Sequence, residues 1–95
     1  MHLEIAEAAL LEAEEVQQRY RAIRPELGDD FAQVLQVALA RIQEDPFMYQ
    51  ALKGPTRRCP LRRFPYTLIY LVRKDAVRVL AVTHQRRRPG YWQGR

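Results

Sequence analysis

Two runs of β-branched and aromatic residues, Tyr66–Val72 and Val77–Thr83, are separated only by the polar link Arg73-Lys74-Asp75-Ala76. Side chains of this kind suit a pleated, half-buried surface, and a link this short reverses the chain, so the pair reads as a β-hairpin. The second run opens directly into His84-Gln85-Arg86-Arg87-Arg88-Pro89-Gly90-Tyr91-Trp92. One end of a sheet therefore presents a histidine, three arginines and two aromatic rings together. The rest of the chain reads as the scaffold that holds this hairpin and covers one of its faces.

Before the hairpin, Ile5, Ala9, Ala13, Val16, Tyr20 and Ile23 recur at spacings of 4, 4, 3, 4 and 3, the apolar stripe of an amphipathic helix. The intervening Glu7, Glu12, Glu14, Glu15, Arg19 and Arg21 are expected to face water. His2-Leu3-Glu4-Ile5 alternates like a short strand ahead of a helix starting near Ala6. Pro25 should stop that helix, and a second should begin between Pro25 and Asp30, with Asp29 and Asp30 as candidate N-caps. Phe31, Val34, Leu35, Ala38, Leu39 and Ile42 form its apolar face, and Asp45-Pro46 ends it. The link is short, so the helices form an antiparallel hairpin. Phe47–Thr56 reads as a turn-bearing connector broken at Gly54-Pro55, with Phe47, Met48, Tyr49 and Leu52 plugging the end of the helical hairpin. Arg57–Phe64 is the least obvious strand, with Cys59 and Leu61 pointing one way and Arg58 and Arg62 the other. Pro60 counts against a central position.

At 95 residues the chain is one domain, 1–95, with room for a single modest core. The expected class is α+β: a two-helix hairpin on one face of a small, mainly antiparallel sheet of three to four strands, the other face open and arginine-rich. Hydrophobic residues make up 47% and charged residues 28%, the balance of a soluble domain. No apolar run approaches the roughly 20 residues that cross a bilayer, and acidic residues stand where a signal peptide carries basic ones, so a cytoplasmic location without membrane partners is expected. One cysteine and two distant histidines give no disulfide and no metal spacing, and no glycine-rich phosphate motif is present; neither metal nor cofactor is expected.

Charge divides the chain. Residues 1–50 hold four Arg against ten acids, a charge of −6; residues 51–95 hold twelve Lys and Arg against Asp75 alone, a charge of +11. Such an excess favours a polyanionic partner, nucleic acid or an acidic protein segment, over arginines that merely solvate a sheet.

The order of elements, with RPELGDDF between the helices, ALARIQEDP closing the second, LRRFPYTLIYLV in the sheet and VLAVTHQRRRPGYW after it, resembles the RelE/ParE superfamily of type II toxin–antitoxin toxins. The resemblance covers essentially the whole chain. It implies a compact toxin with a concave basic sheet face, neutralised by a cognate antitoxin. Its RelE-like members are metal-independent ribonucleases that cut messenger RNA on the ribosome, whereas its ParE-like members inhibit DNA gyrase. Of the RelE-like functional residues, Thr67 stands where the sheet arginine is expected, Arg86 matches the arginine after the last strand, and Tyr91 or Trp92 matches the terminal aromatic loosely.

RNA cleavage without metal needs a base, an acid and cations for the developing phosphorane charge. His84, whose intrinsic pKa lies near neutrality, and Arg86 are the candidate catalytic pair; the competing reading of His84 is a strand-ending histidine with only local hydrogen bonds. Arg58, Arg62, Arg63, Arg87 and Arg88 are candidate contacts to nucleic acid or target, since planar guanidinium forks suit phosphate. They serve equally as receivers of antitoxin carboxylates. Tyr91 and Trp92 could stack on bases or clasp the tail to the sheet. Cys59 is expected to be a small buried residue without chemistry. The ribonuclease reading stands first, with messenger RNA on the ribosome as target; gyrase inhibition, or a relative that only binds its antitoxin, is the alternative.

Overall fold

Pro25 decides how the two helices meet. It disfavours the helical conformation at the residue before it, and Arg24 is accordingly extended at φ −161°, ψ 130°. That single residue separates α1 (Glu7–Ile23) from α2 (Pro25–Glu44), which carries the proline in its first turn. In the computed structural model, which describes residues 1–95, Asp29 and Asp30 lie inside α2 and no side chain caps it. The helices approach closely at Gly28, where a Cβ would collide with the side chain of Arg21.

Five strands form one sheet in the order β1-β5-β4-β3-β2: β1 (His2–Ile5), β2 (Ala51–Lys53), β3 (Thr56–Pro60), β4 (Tyr66–Arg73) and β5 (Ala76–His84). β1 runs parallel to β5, and the other pairings are antiparallel. The strand count exceeds the expected three to four because the connector supplies β2, three exposed residues whose composition carries no burial pattern. The β4–β5 hairpin turns through two residues, Lys74 and Asp75, with Lys74 at φ +56°. Pro60 is tolerated in β3 for a local reason. Arg58 N–H points outward to Gln50 O, so the Pro60 nitrogen faces the same edge beyond the end of β2, where no ladder donor is required.

One irregularity organises both faces. Ile69 pairs with Ala81 but Tyr70 with Val79, so Leu80 is an extra residue in β5. Before this bulge Val77 and Val79 face the helices; after it Val82 does, while Leu80 and Ala81 share the opposite face. The helix side forms the main core, in which Ala9 and Val16 of α1 and Phe31, Ala38, Leu39 and Ile42 of α2 meet Leu68, Tyr70, Val77, Val79 and Val82. Rings of Tyr20, Phe31, Phe64 and Tyr66 close one end, with Tyr20 and Phe64 edge to face at 4.9 Å. Tyr70 is fully buried and donates from Oη to Pro46 O at 2.6 Å, tying the sheet to the end of α2; burial pushes its pKa up to about 12.

Several expectations are corrected. The α1 stripe ends at Tyr20: Ile23, the last residue of the helix before the break at Arg24, is 71% exposed, and Ile5 lies at the exposed edge. Phe47, Met48 and Leu52 are exposed rather than plugging the helices, and only Tyr49 packs on the core. Glu12 does not face water; its side chain is 14% exposed. Arg62 lies in the bend after β3, not in a strand.

Candidate target-binding groove and C-terminal clasp

The face of the sheet away from the helices is floored by apolar side chains. Ile69, Leu80 and Ala81 are buried there, with Leu71 beside them, and the tail rings of Tyr91 and Trp92 lie over part of them. What remains is an open groove of about 780 Å³ whose walls include Lys53, Arg58 and Arg73 on one side and Arg87, Trp92 and Arg95 on the other. The expected arginine-rich open face is therefore an apolar floor with a basic rim, since the bulge at Leu80 directs two consecutive apolar residues onto it. Thr67 and Thr83, a cross-strand pair, also lie on this floor. Thr67 Oγ1 is buried without a hydrogen-bond partner, and its residue stands where the resemblance expects an arginine.

The tail is held by one carboxylate. β1 pairs with β5 only as far as Val79, so the Val82 amide has no strand partner; Glu12 Oε1 accepts from it at 3.1 Å. The same oxygen accepts from Arg95 Nη1 at 2.9 Å, and Oε2 accepts from Tyr91 Oη at 2.7 Å. Arg95 also donates to Leu80 O at 3.1 Å, and Arg87 stacks 3.7 Å above the Tyr91 ring with Nη1 3.9 Å from Glu12. Burial first, and then the bond to Glu12, pushes the Tyr91 phenol above its ordinary pKa. Gly90 and Gly94, at φ +91° and +88°, supply the left-handed conformations that wrap the tail over the sheet. Glu12 is thus a functional residue outside the expected set, which has it facing water. The signal lay in its spacing, three after Ala9 and four before Val16, at the border of the apolar stripe.

The expected site residues fall into three places. Arg58, His84 and Arg87 line the groove, and Tyr91 and Trp92 pack against its floor. Arg62 and Arg63 sit in the loop between β3 and β4, Arg63 bonded to Asp30 Oδ2 at 2.9 Å. His84 pairs with Tyr66, so its ring lies on the helix side, edge-on to Tyr66 with centroids 5.1 Å apart. Its Nδ1 accepts from the Arg86 amide at 3.0 Å, which assigns the lone pair to Nδ1 and leaves Nε2 as the free nitrogen. Arg86 and Arg88 are exposed and enter none of the ion pairs. His84 and Arg86 are thus joined through a backbone amide, and His84 reaches the lip of the groove beside Thr83 and Gln85 while its ring packs against Tyr66. Cys59 is buried beside Tyr49, and burial pushes its thiol pKa up, which keeps it protonated. No group of three or more His, Cys, Asp or Glu is placed to hold a metal ion, and no helix is long and apolar enough to cross a membrane.

Residues 3–89 match the family profile described as ParE toxin of type II toxin-antitoxin system, parDE. The chain belongs to the ParE toxin family. Its fold agrees with a solved chain of the chromosomal ParDE toxin–antitoxin system from P. aeruginosa, at a TM-score of 0.77 and 16% identity, over 88% of this chain and 95% of that one. No curated protein matches the sequence. In this ParE toxin, Glu12 and strands β2 to β5 fall within the matched residues, whereas Tyr91 and Arg95, which close onto Glu12, lie beyond them. As a type II toxin it has an antitoxin as its partner.

Proposed function

We propose that this ParE toxin arrests growth by binding DNA gyrase rather than by cutting RNA. The observation that carries the reading is the placement of His84. The residue stands at the lip of the groove, but its ring packs edge-on against Tyr66 and its Nδ1 is already occupied by the Arg86 amide, so that nitrogen is not available as a base. A general base must reach the proton it abstracts, directly or through one water. The groove itself offers cations for an anionic surface but holds Thr67 at the place of the sheet arginine. Membership of the ParE family supports the same target. The apolar floor and basic rim suit an acidic protein segment, with Arg58 and Arg87 as charge partners and the Trp92 edge as apolar contact. The antitoxin and gyrase then draw on the same basic half, in the cytoplasm where both are made.

RNA cleavage by His84 and Arg86 is the second reading, favoured by one observation: the Arg86 amide on His84 Nδ1 fixes both residues at one rim. One experiment separates the readings. Purified toxin is added in parallel to a gyrase supercoiling reaction and to translating ribosomes. The expected result is blocked supercoiling with intact messenger; cut messenger with unimpaired gyrase would reverse the assignment. Inactivity in both, with antitoxin binding retained, would leave a relative that only binds its antitoxin.

A further inference from the structure

Two loops meet where β4 begins and β5 ends. Gln85 N–H donates to Pro65 O at 2.9 Å, which ties segment 61–65 to segment 85–90. Both loops are shaped to expose arginine. In the first, Phe64 N–H bonds to Arg62 O at 2.7 Å across Arg63, whose φ is +71°. This is the strained form of a γ-turn, and strain kept by a non-glycine residue points to a demand other than stability. In the second, the amides of Arg86 and Arg87 are held by His84 Nδ1 and His84 O at 3.0 and 2.9 Å.

The arginines of these loops divide into two sets. Arg63 is bound to Asp30, and Arg87 is folded over Tyr91 toward Glu12. Arg62, Arg86 and Arg88 are exposed, and none of them belongs to an ion pair. The acids that reach these loops, Asp30 and Glu12, are thus already engaged, and three guanidinium groups are left facing solvent on one edge joined by the Gln85–Pro65 bond.

We infer that this edge, carrying Arg62, Arg86 and Arg88, binds the phosphate backbone of duplex DNA. An acidic protein partner fits less well, because neither loop exposes a large apolar side chain and a protein interface needs a desolvated apolar centre. Phosphate oxygens ask only for charged donors. A single strand fits less well too. Its bases need open aromatic faces, and Tyr91 and Trp92 are packed against Ile69, Leu80 and Ala81. The inference rests on the gyrase reading for its biological sense, since a DNA contact at this edge directs the toxin to gyrase that is carrying its DNA.

Fluorescence anisotropy of a labelled duplex with the full-length protein tests it, in an assay that contains no gyrase and so stands apart from the supercoiling result. Three phosphate contacts give a log–log salt slope of about −2.7, so affinity falls about 40-fold between roughly 50 and 200 mM salt. The combined variant Arg62→Gln, Arg86→Gln, Arg88→Gln loses binding by at least about tenfold at the lower salt, as removal of those contacts requires. Lys74→Gln, in the hairpin turn at the opposite end of the sheet, binds as the wild type does. Absence of duplex binding at low salt, or equal binding by the triple variant with an unchanged circular dichroism spectrum, overturns the inference. So does polyglutamate binding that the triple variant abolishes while duplex DNA is ignored.

Discussion

Tyr91 Oη donates to Glu12 Oε2 at 2.7 Å, joining the first helix to the tail across 79 positions of sequence. The other oxygen of that carboxylate holds the Val82 amide and Arg95. One acidic side chain thereby completes the open edge of β5 and fastens the segment that walls the groove.

Glu12→Ala removes every one of these acceptors and leaves the Tyr91 hydroxyl, the Val82 amide and Arg95 to find water. Loss of a network of charge-assisted bonds costs about 2 to 3 kcal/mol. The expected phenotype is a frayed tail on a folded domain. Hydrogen exchange at residues 90–95 speeds up and Trp92 fluorescence shifts to the red, while helical circular dichroism is unchanged. Protection of the tail equal to that of the wild type would remove Glu12 from this role.

Thr67→Val is expected to stabilise the protein. The Thr67 hydroxyl is buried without a partner, and a methyl of the same shape relieves a desolvation penalty of about 1 kcal/mol or more. Urea denaturation should show a higher midpoint with an unchanged slope. A lower midpoint would mean that the hydroxyl is bonded in solution.

Alkali should destabilise the fold through Tyr70. Its phenol ionises near pH 10 when unfolded and at about 12 when folded. Between those values the unfolded chain binds fewer protons, so stability is complete below pH 10 and falls as pH rises toward 12, by about 2 to 3 kcal/mol for that shift. Thermal melts across this range follow the loss, and Tyr70→Phe should flatten it while lowering stability at neutral pH, where the bond to Pro46 O is missing. An equally steep fall in Tyr70→Phe would place the effect elsewhere.

Arg63→Gly probes the γ-turn. Glycine relieves the positive φ, worth about 1 kcal/mol, and forfeits an exposed ion pair with Asp30 worth less than that. Arg63→Gly should therefore match or exceed wild-type stability, whereas Arg63→Val, which keeps neither the charge nor a tolerated conformation, should lose about 1 to 2 kcal/mol. Denaturation midpoints in the opposite order would contradict the strained turn.

The elements that patterning revealed were those whose burial follows a simple period. The β4–β5 hairpin, both helices, the break at Pro25 and the alternating β1 all have that property. β2 was hidden because its three residues are exposed and owe their conformation to pairing with β3 alone. The bulge at Leu80 was hidden because Val79, Leu80, Ala81 and Val82 are all apolar, so nothing in the run marks where the facing changes. That single residue moves an apolar pair onto the open face and determines what the groove is made of. His84 was legible as a histidine in a basic segment, but its facing depends on the same bulge and on its pairing with Tyr66. Glu12 looked like one glutamate among several until the amide left over by the end of β1 gave it a partner.

The measurement that bears most directly on the toxin's action is gyrase supercoiling of relaxed plasmid against increasing wild-type protein and the His84→Ala variant, with messenger integrity followed on translating ribosomes. Binding to gyrase predicts that both proteins block supercoiling alike and leave messenger intact. Unimpaired supercoiling, with messenger cut by the wild type and spared by His84→Ala, would contradict it.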